Sequence, residues 1–229
     1  MAGISKLLPA FVFLCVANLI LMRDPGALYQ ILFPLLLVTA LDLILPLAYG
    51  ALAAWTVRMP LGRLLRAQFP TYLLALATAS SSAAFSSNVD VCKNRLGIDE
   101  RLVNLGVPFG QVLFMPGSLT TLIVLSLFMA DHHGIPMTPQ WIITLLVIST
   151  ILAVATPPIP GGGISGTLIL FTQLGIPVSG MAICATVLTF TDYTITACNI
   201  ACLQQELLIS AKKQGLLKTD QRRPENPGA

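Results

Sequence analysis

Two apolar stretches of this chain are interrupted by residues that a membrane-crossing helix cannot absorb. Residues 69–79 are apolar and stop at Ser80-Ser81-Ser82; another short run follows, then a charged stretch from Asp90 to Arg101. Residues 140–156 are apolar and stop at Pro157-Pro158-Ile159-Pro160-Gly161-Gly162-Gly163, a segment expected to be non-helical; a short arm, 164–174, then ends at Gly175-Ile176-Pro177. At about 1.5 Å per residue, an arm of 69–79 falls well short of a hydrocarbon core of about 30 Å. Each pair of arms therefore reads as a helical hairpin that enters and leaves the membrane on one side.

That reading needs lipid as the solvent, and the composition supplies it. The chain is 55% hydrophobic and 10% charged, with mean hydropathy +0.81. Soluble domains carry about 25% charged residues. No period-2 alternation points to a β-barrel. The fold class expected is an all-α integral membrane protein with about four membrane spans plus two re-entrant hairpins. The spans are 7–22, 29–57, 102–130 and 178–211. The third is expected to unwind at Phe114-Met115-Pro116-Gly117-Ser118, where Pro and Gly meet. Residues 59–66 read as a basic interfacial segment, Asp131-His132-His133-Gly134 as a loop, and everything from Lys212 as a frayed polar tail. No cleavable signal is evident at Met1.

This layout puts all the Lys and Arg residues except Arg23 on one side, which the positive-inside rule makes the cytoplasm. The C-terminus is then cytoplasmic in a multi-pass cell-membrane protein. If either hairpin crossed fully, the later charges would change sides.

Irregular backbone at membrane depth survives only where protein buries it or a cavity adjoins it. The serine tip, the Pro-Gly break and the Pro/Gly tip are three such places, and they point to a site near the midplane. The second arm of each hairpin starts at its tip, so its free N–H groups and positive dipole end favour an anionic group such as a carboxylate. The last span adds Asp192, Thr196 and Asn199 on one helical face. A carboxylate there suits an ammonium, and Asn and Thr can donate to a carboxylate. A structural stripe gluing helices together explains the same face. Asp42, inside the second span, is a secondary candidate; a snorkelling position or a polar contact to the hairpins explains it equally.

Together these pieces resemble the C-terminal core of the dicarboxylate/amino acid:cation symporter family, which includes the glutamate transporters. The resemblance runs from about residue 29 to 212. It is carried by Ser80-Ser81-Ser82, Lys93-Asn94-Arg95-Leu96-Gly97-Ile98-Asp99, Pro116-Gly117-Ser118, Ile159-Pro160-Gly161-Gly162-Gly163 and Asp192…Thr196…Asn199. It implies a trimeric elevator-type carrier, with residues 1–28 scaffold-like, 29–212 the transport core and 213–229 a basic cytoplasmic tail. It implies that Asp192 meets a substrate amine, and that Asn199, Ser80, Ser81 and Ser82 meet its carboxylate. Thr196, Ile195 and Ser118 line the same site, and Pro160, Gly161 and Gly163 gate it.

The departures sharpen the expectation. The family's unwound span usually reads Asn-Met-Asp-Gly-Thr, so Phe114 and Pro116 replace sodium-binding residues, and Leu203 replaces another. Leu188 stands where the family often has an acid. A remaining Na⁺ site would use Met115, Thr120 and Thr156; a proton on Asp192 is the other coupling choice. Ile195 replaces the Arg of acidic-substrate members, and an unpaired second carboxylate beside it would cost several kcal/mol. A small neutral amino acid is therefore the expected substrate. The family also has roughly twice this span count, so the alternative is a truncated or split, non-transporting subunit that needs a partner chain for its scaffold spans.

Other patterns carry less. Gly163-Ile164-Ser165-Gly166 matches an intramembrane protease signature, but no His follows it to act as base, so no enzyme is expected. His132-His133 lacks a third metal ligand. The five cysteines form no Cys-x-x-Cys pair and read as small buried hydrophobes. Partners are lipid, substrate and copies or complements of the chain, with no nucleic acid.

Overall fold

The computed structural model describes residues 25–155 and 162–218. The expected first span, 7–22, and the Thr156–Gly161 part of the second tip lie outside the described residues, as do Pro160 and Gly161 themselves. What is described is helical. The helices are α1 (Pro25–Val57), α2 (Leu61–Thr78), α3 (Ser81–Asp90), α4 (Glu100–Leu113), α5 (Pro116–His132), α6 (Pro139–Ala155), α7 (Gly162–Leu174) and α8 (Met181–Lys213). Three stretches are long and apolar enough to cross a membrane: Tyr29–Val57, Glu100–His132 and Val178–Lys213. With the shorter apolar helices Pro139–Ala155 and Gly162–Leu174, they make this an all-α membrane protein.

Local chemistry sets the breaks. Ala79 turns the first hairpin in the left-handed region (φ 47), and its N–H bonds to the Ala75 carbonyl. Ser80 then caps α3, its hydroxyl accepting from the Ala83 N–H at 3.2 Å. Thr71 and Ser87 meet across the arms at 2.8 Å, which sets α2 and α3 antiparallel. The second hairpin is closed in the same sense by the Trp141 indole N–H, which donates to the Leu174 carbonyl at 3.0 Å. Between α4 and α5 only Phe114 and Met115 leave the helix. Proline lacks an N–H, and Pro116 opens α5, where the missing donor costs nothing.

Several boundaries differ from the sequence expectation. The basic segment after Pro60 is already helix, because α2 begins at Leu61 and its buried Leu64 anchors that turn. Helix α5 runs through Asp131 and His132, so the expected loop shrinks to a turn at His133-Gly134. Gly162 and Gly163 are helical rather than part of a non-helical tip. Gly163 faces Leu188, whose Cδ2 would lie 3.4 Å from a Cβ there. Of the tail expected to fray, residues 212–218 are folded, and the rest lies outside the described residues. Gln214–Lys218 folds back on the linker after α3, where the Asp99 N–H donates to the Leu216 carbonyl at 2.8 Å and the Lys218 N–H to the Gly97 carbonyl at 2.9 Å.

Helix α8 is the axis of the molecule. Every residue from Ile195 to Gln205 is buried. A helix buried all round has no solvent or lipid face, so its polar residues must find partners in protein. Two apolar cores flank it. One joins α8 to α2 and α4 through Leu64, Val107, Leu207 and Leu208. The other joins it to α5 and α7 through Leu125, Met129, Phe171 and Val187. By contrast α1, α4 and α6 turn bare apolar residues outward, among them Leu36, Trp55, Leu105, Phe109, Ile143 and Ile151. Lipid or another chain is the medium that suits them.

Candidate functional site

Both hairpins and the broken span converge on the middle of α8. Ala84, one turn into α3, packs with Ala75 against Ala197 and Ile200. Gly163, at the start of α7, lies against Leu188. Asp192 and Thr196 fall between these two landing points on the same helix. Thr196, Ile195 and Asn199 are buried, and Asp192 is half-buried.

The break itself is bound to Asn199. The Asn199 carbonyl oxygen accepts from the Gly117 N–H at 2.8 Å, and its amide donates to the Ser118 hydroxyl at 3.1 Å. One amide thus satisfies a backbone donor that α5, lacking a preceding turn, cannot. The fit at 117 is tight: a Cβ there would stand 3.1 Å from the Ile195 carbonyl, 3.2 Å from Asn199 Oδ1 and 3.2 Å from Asp42 Oδ1, so a larger residue would have to push them back.

The tip serines divide. Ser80 serves as the cap, Ser81 is buried and Ser82 is exposed. The Ser81 carbonyl accepts from the Gln111 side chain at 3.3 Å, which ties the tip to the last turn of α4. Beside that bond lies an open groove of about 320 Å³, lined by Ser81, Ser82, Phe85, Pro108, Gln111 and Val112.

The candidate sodium set is less complete. The Met115 carbonyl accepts from the Leu119 N–H at 3.0 Å, and the Thr120 hydroxyl donates to the Pro116 carbonyl at 2.9 Å. Both oxygens serve the first turn of α5, while Thr156 lies outside the described residues. Phe114 and Pro116 bring no side-chain oxygen. The described part of this set does not by itself fit a hard cation, which takes about six oxygens.

Six participants were not singled out by the sequence. Thr194 donates to Asp42 Oδ2 at 2.8 Å, and Gln111 holds the serine tip. Gln68, Asn88, Gln204 and Gln205 form a second buried polar cluster. Gln111 stands alone in an apolar run, a signal the sequence offered; the others lie beside further polar residues and carry none. Asp42 had that signal, and the structure corrects one reading of it: at 1% exposure it does not snorkel but faces the break.

Paired helical hairpins and a broken span gathered on one buried helix define a membrane carrier core as a class. Residues 1–203 match the sodium:dicarboxylate symporter family, and the chain belongs to that family. It is a family of transporters, not of enzymes. An excitatory amino acid transporter of Caenorhabditis elegans is 26% identical over 136 residues, 59% of this chain and 27% of the relative. The L-cystine uptake protein TcyP of Bacillus anthracis is 29% identical over 158 residues, 68% of this chain and 34% of the relative. Human excitatory amino acid transporter 2 is 26% identical over 132 residues, 58% of this chain and 23% of the relative. These alignments span about a quarter to a third of the length of the relatives.

Proposed function

We propose that this chain is the substrate-holding core of a secondary carrier for a small neutral amino acid. The observation that carries the reading is the convergence on α8 of α3, α7 and the α4–α5 break around Asp192 and Asn199. In it Asp192 takes the substrate ammonium. Asn199, Thr196, Ser118 and the serine tip take the carboxylate, and the Gly163 end of α7 closes over it. The buried Ile195 offers an apolar contact and no cation for a second carboxylate.

The hairpins are re-entrant in this reading, the C-terminus is cytoplasmic, and the core slides against scaffold spans in a homotrimer. Coupling is to Na⁺ or H⁺. The test is uptake of radiolabelled neutral amino acids, with glutamate alongside, by proteoliposomes of the purified chain, with sodium and proton gradients imposed separately. Gradient-driven uptake of a neutral amino acid is expected. Absence of both uptake and binding overturns the reading.

A second reading is a non-transporting subunit of the same fold. The outward apolar faces of α1, α4 and α6 favour a partner chain. Co-purification of a complementary membrane chain, with uptake only in the complex, would support a split carrier.

A further inference from the structure

Counting hydrogens around Asp42 leads to a site outside the substrate-binding set. The Thr194 hydroxyl lies 2.8 Å from Asp42 Oδ2 and 2.9 Å from the Thr191 carbonyl. Both are acceptors if the acid is ionised, and one hydroxyl hydrogen would have to be split between them in a weaker three-centre bond. The other carboxyl oxygen, Oδ1, is buried without any partner. It shares the hollow at Gly117 with two further acceptors, the Ile195 carbonyl and Asn199 Oδ1, each within 3.2 Å of one point. An ionised carboxylate here would aim its charge at oxygens and leave a buried lone pair unmet.

One proton resolves the arrangement. Placed on Oδ2, it is donated to the Thr194 hydroxyl, which then donates to the Thr191 carbonyl. Oδ1 becomes a neutral carbonyl, and its repulsion with the neighbouring oxygens falls. We propose that Asp42 is a proton-binding site, holding its proton against Thr194 at the joint between α1, α8 and the α4–α5 break. Among the titratable groups near it are Tyr72 of α2 and Cys198 of α8, neither of them cationic. The Lys and Arg ion pairs among the described residues go to Glu100 and Asp99, far from it in the chain. From helix α5 the backbone at Gly117 meets it. A metal ion fits the hollow poorly, because the point shared by the three oxygens lies within bonding distance of the Gly117 Cα.

The proton also bears on Asn199. Loss of the proton leaves a negative Oδ1 beside the Asn199 carbonyl oxygen. The amide then gains by turning over to present its N–H₂, which frees the Gly117 N–H, while the Ser118 hydroxyl turns to donate to the relocated carbonyl oxygen. If the chain is a carrier, as proposed above, this ties proton release to donors in the substrate site; the proton site itself does not depend on that reading.

The test is infrared difference spectroscopy of the purified full chain in lipid, in which a protonated carboxyl gives its own carbonyl stretching band. The band is expected at neutral pH, lost in Asp42→Asn, retained in Asp192→Asn, and displaced in Thr194→Val, which keeps the acid but removes its partner. A wild type without the band, a band that survives Asp42→Asn, or one abolished by added sodium at constant pH would overturn the proposal. The readout needs no substrate, so failure of amino acid uptake leaves it standing and its own failure leaves the uptake test untouched.

Discussion

Gln204 and Gln205 lie about a turn and a half beyond Asn199 on α8, and both places are buried, yet they are organised differently. Around the glutamines the partners are amides and helix carbonyls. Gln205 donates to the Pro46 carbonyl at 2.9 Å and to Gln68 at 3.2 Å; Gln68 donates to the Ala201 carbonyl at 3.0 Å; Gln204 donates to Asn88 at 2.9 Å. The atoms left over there include an amide nitrogen of Asn88 and the oxygen of Gln204, a donor and an acceptor on residues already in contact. Around Asn199 the partners are an unwound backbone N–H, a hydroxyl and, across Gly117, a carboxyl group with an oxygen unmet. A neutral amide lattice can close on itself and glue α1, α2, α3 and α8 together. A carboxyl beside freed backbone cannot, and it stays responsive to whatever supplies the missing proton or ligand.

The contrast can be broken by experiment. The largest effect is expected from Asn199→Ala, which strips the Gly117 N–H of its acceptor. In a thermal-shift assay the ligand-dependent shift should vanish, and stability should fall by ~1–3 kcal/mol. An undiminished ligand shift would place the site elsewhere. Asp192→Asn should also abolish the amino-acid-dependent shift while leaving the unliganded protein close to wild type.

Gln205→Leu sharpens the other side. It removes two interhelical hydrogen bonds, each worth ~0.6 to ~1.7 kcal/mol in a bilayer, so unfolding should become easier while the ligand shift persists. Loss of binding in Gln205→Leu would make the two clusters a single unit. Ser80→Ala removes the cap on α3 and should cost ~1 kcal/mol, with weakened binding if the serine tip faces substrate. The smallest effect belongs to Lys93→Met. Its bridge to Glu100, 2.6 Å long, is solvent-exposed at the outer end of the first hairpin, so ~0–1 kcal/mol is expected and no change in binding.

Sequence alone determined the helical class, the turn before the Ser80 cap and the broken span. Those follow from local rules: serine at a cap, proline opening a helix. Asp192, Thr196 and Asn199 were likewise visible as one face, because helical periodicity is a property of the chain itself. The extent of helix at Leu61, His132 and Gly162 was not, since packing carries a helix past weak boundary signals. Only the tertiary structure brought Asp42, 75 positions before Gly117, against the break, and only it showed the unmet atoms to be amide groups around the glutamines and a carboxyl oxygen beside Asn199. Pairings across such separations depend on how whole helices pack, and a polar residue in an apolar run looks the same in sequence whatever partner the fold provides.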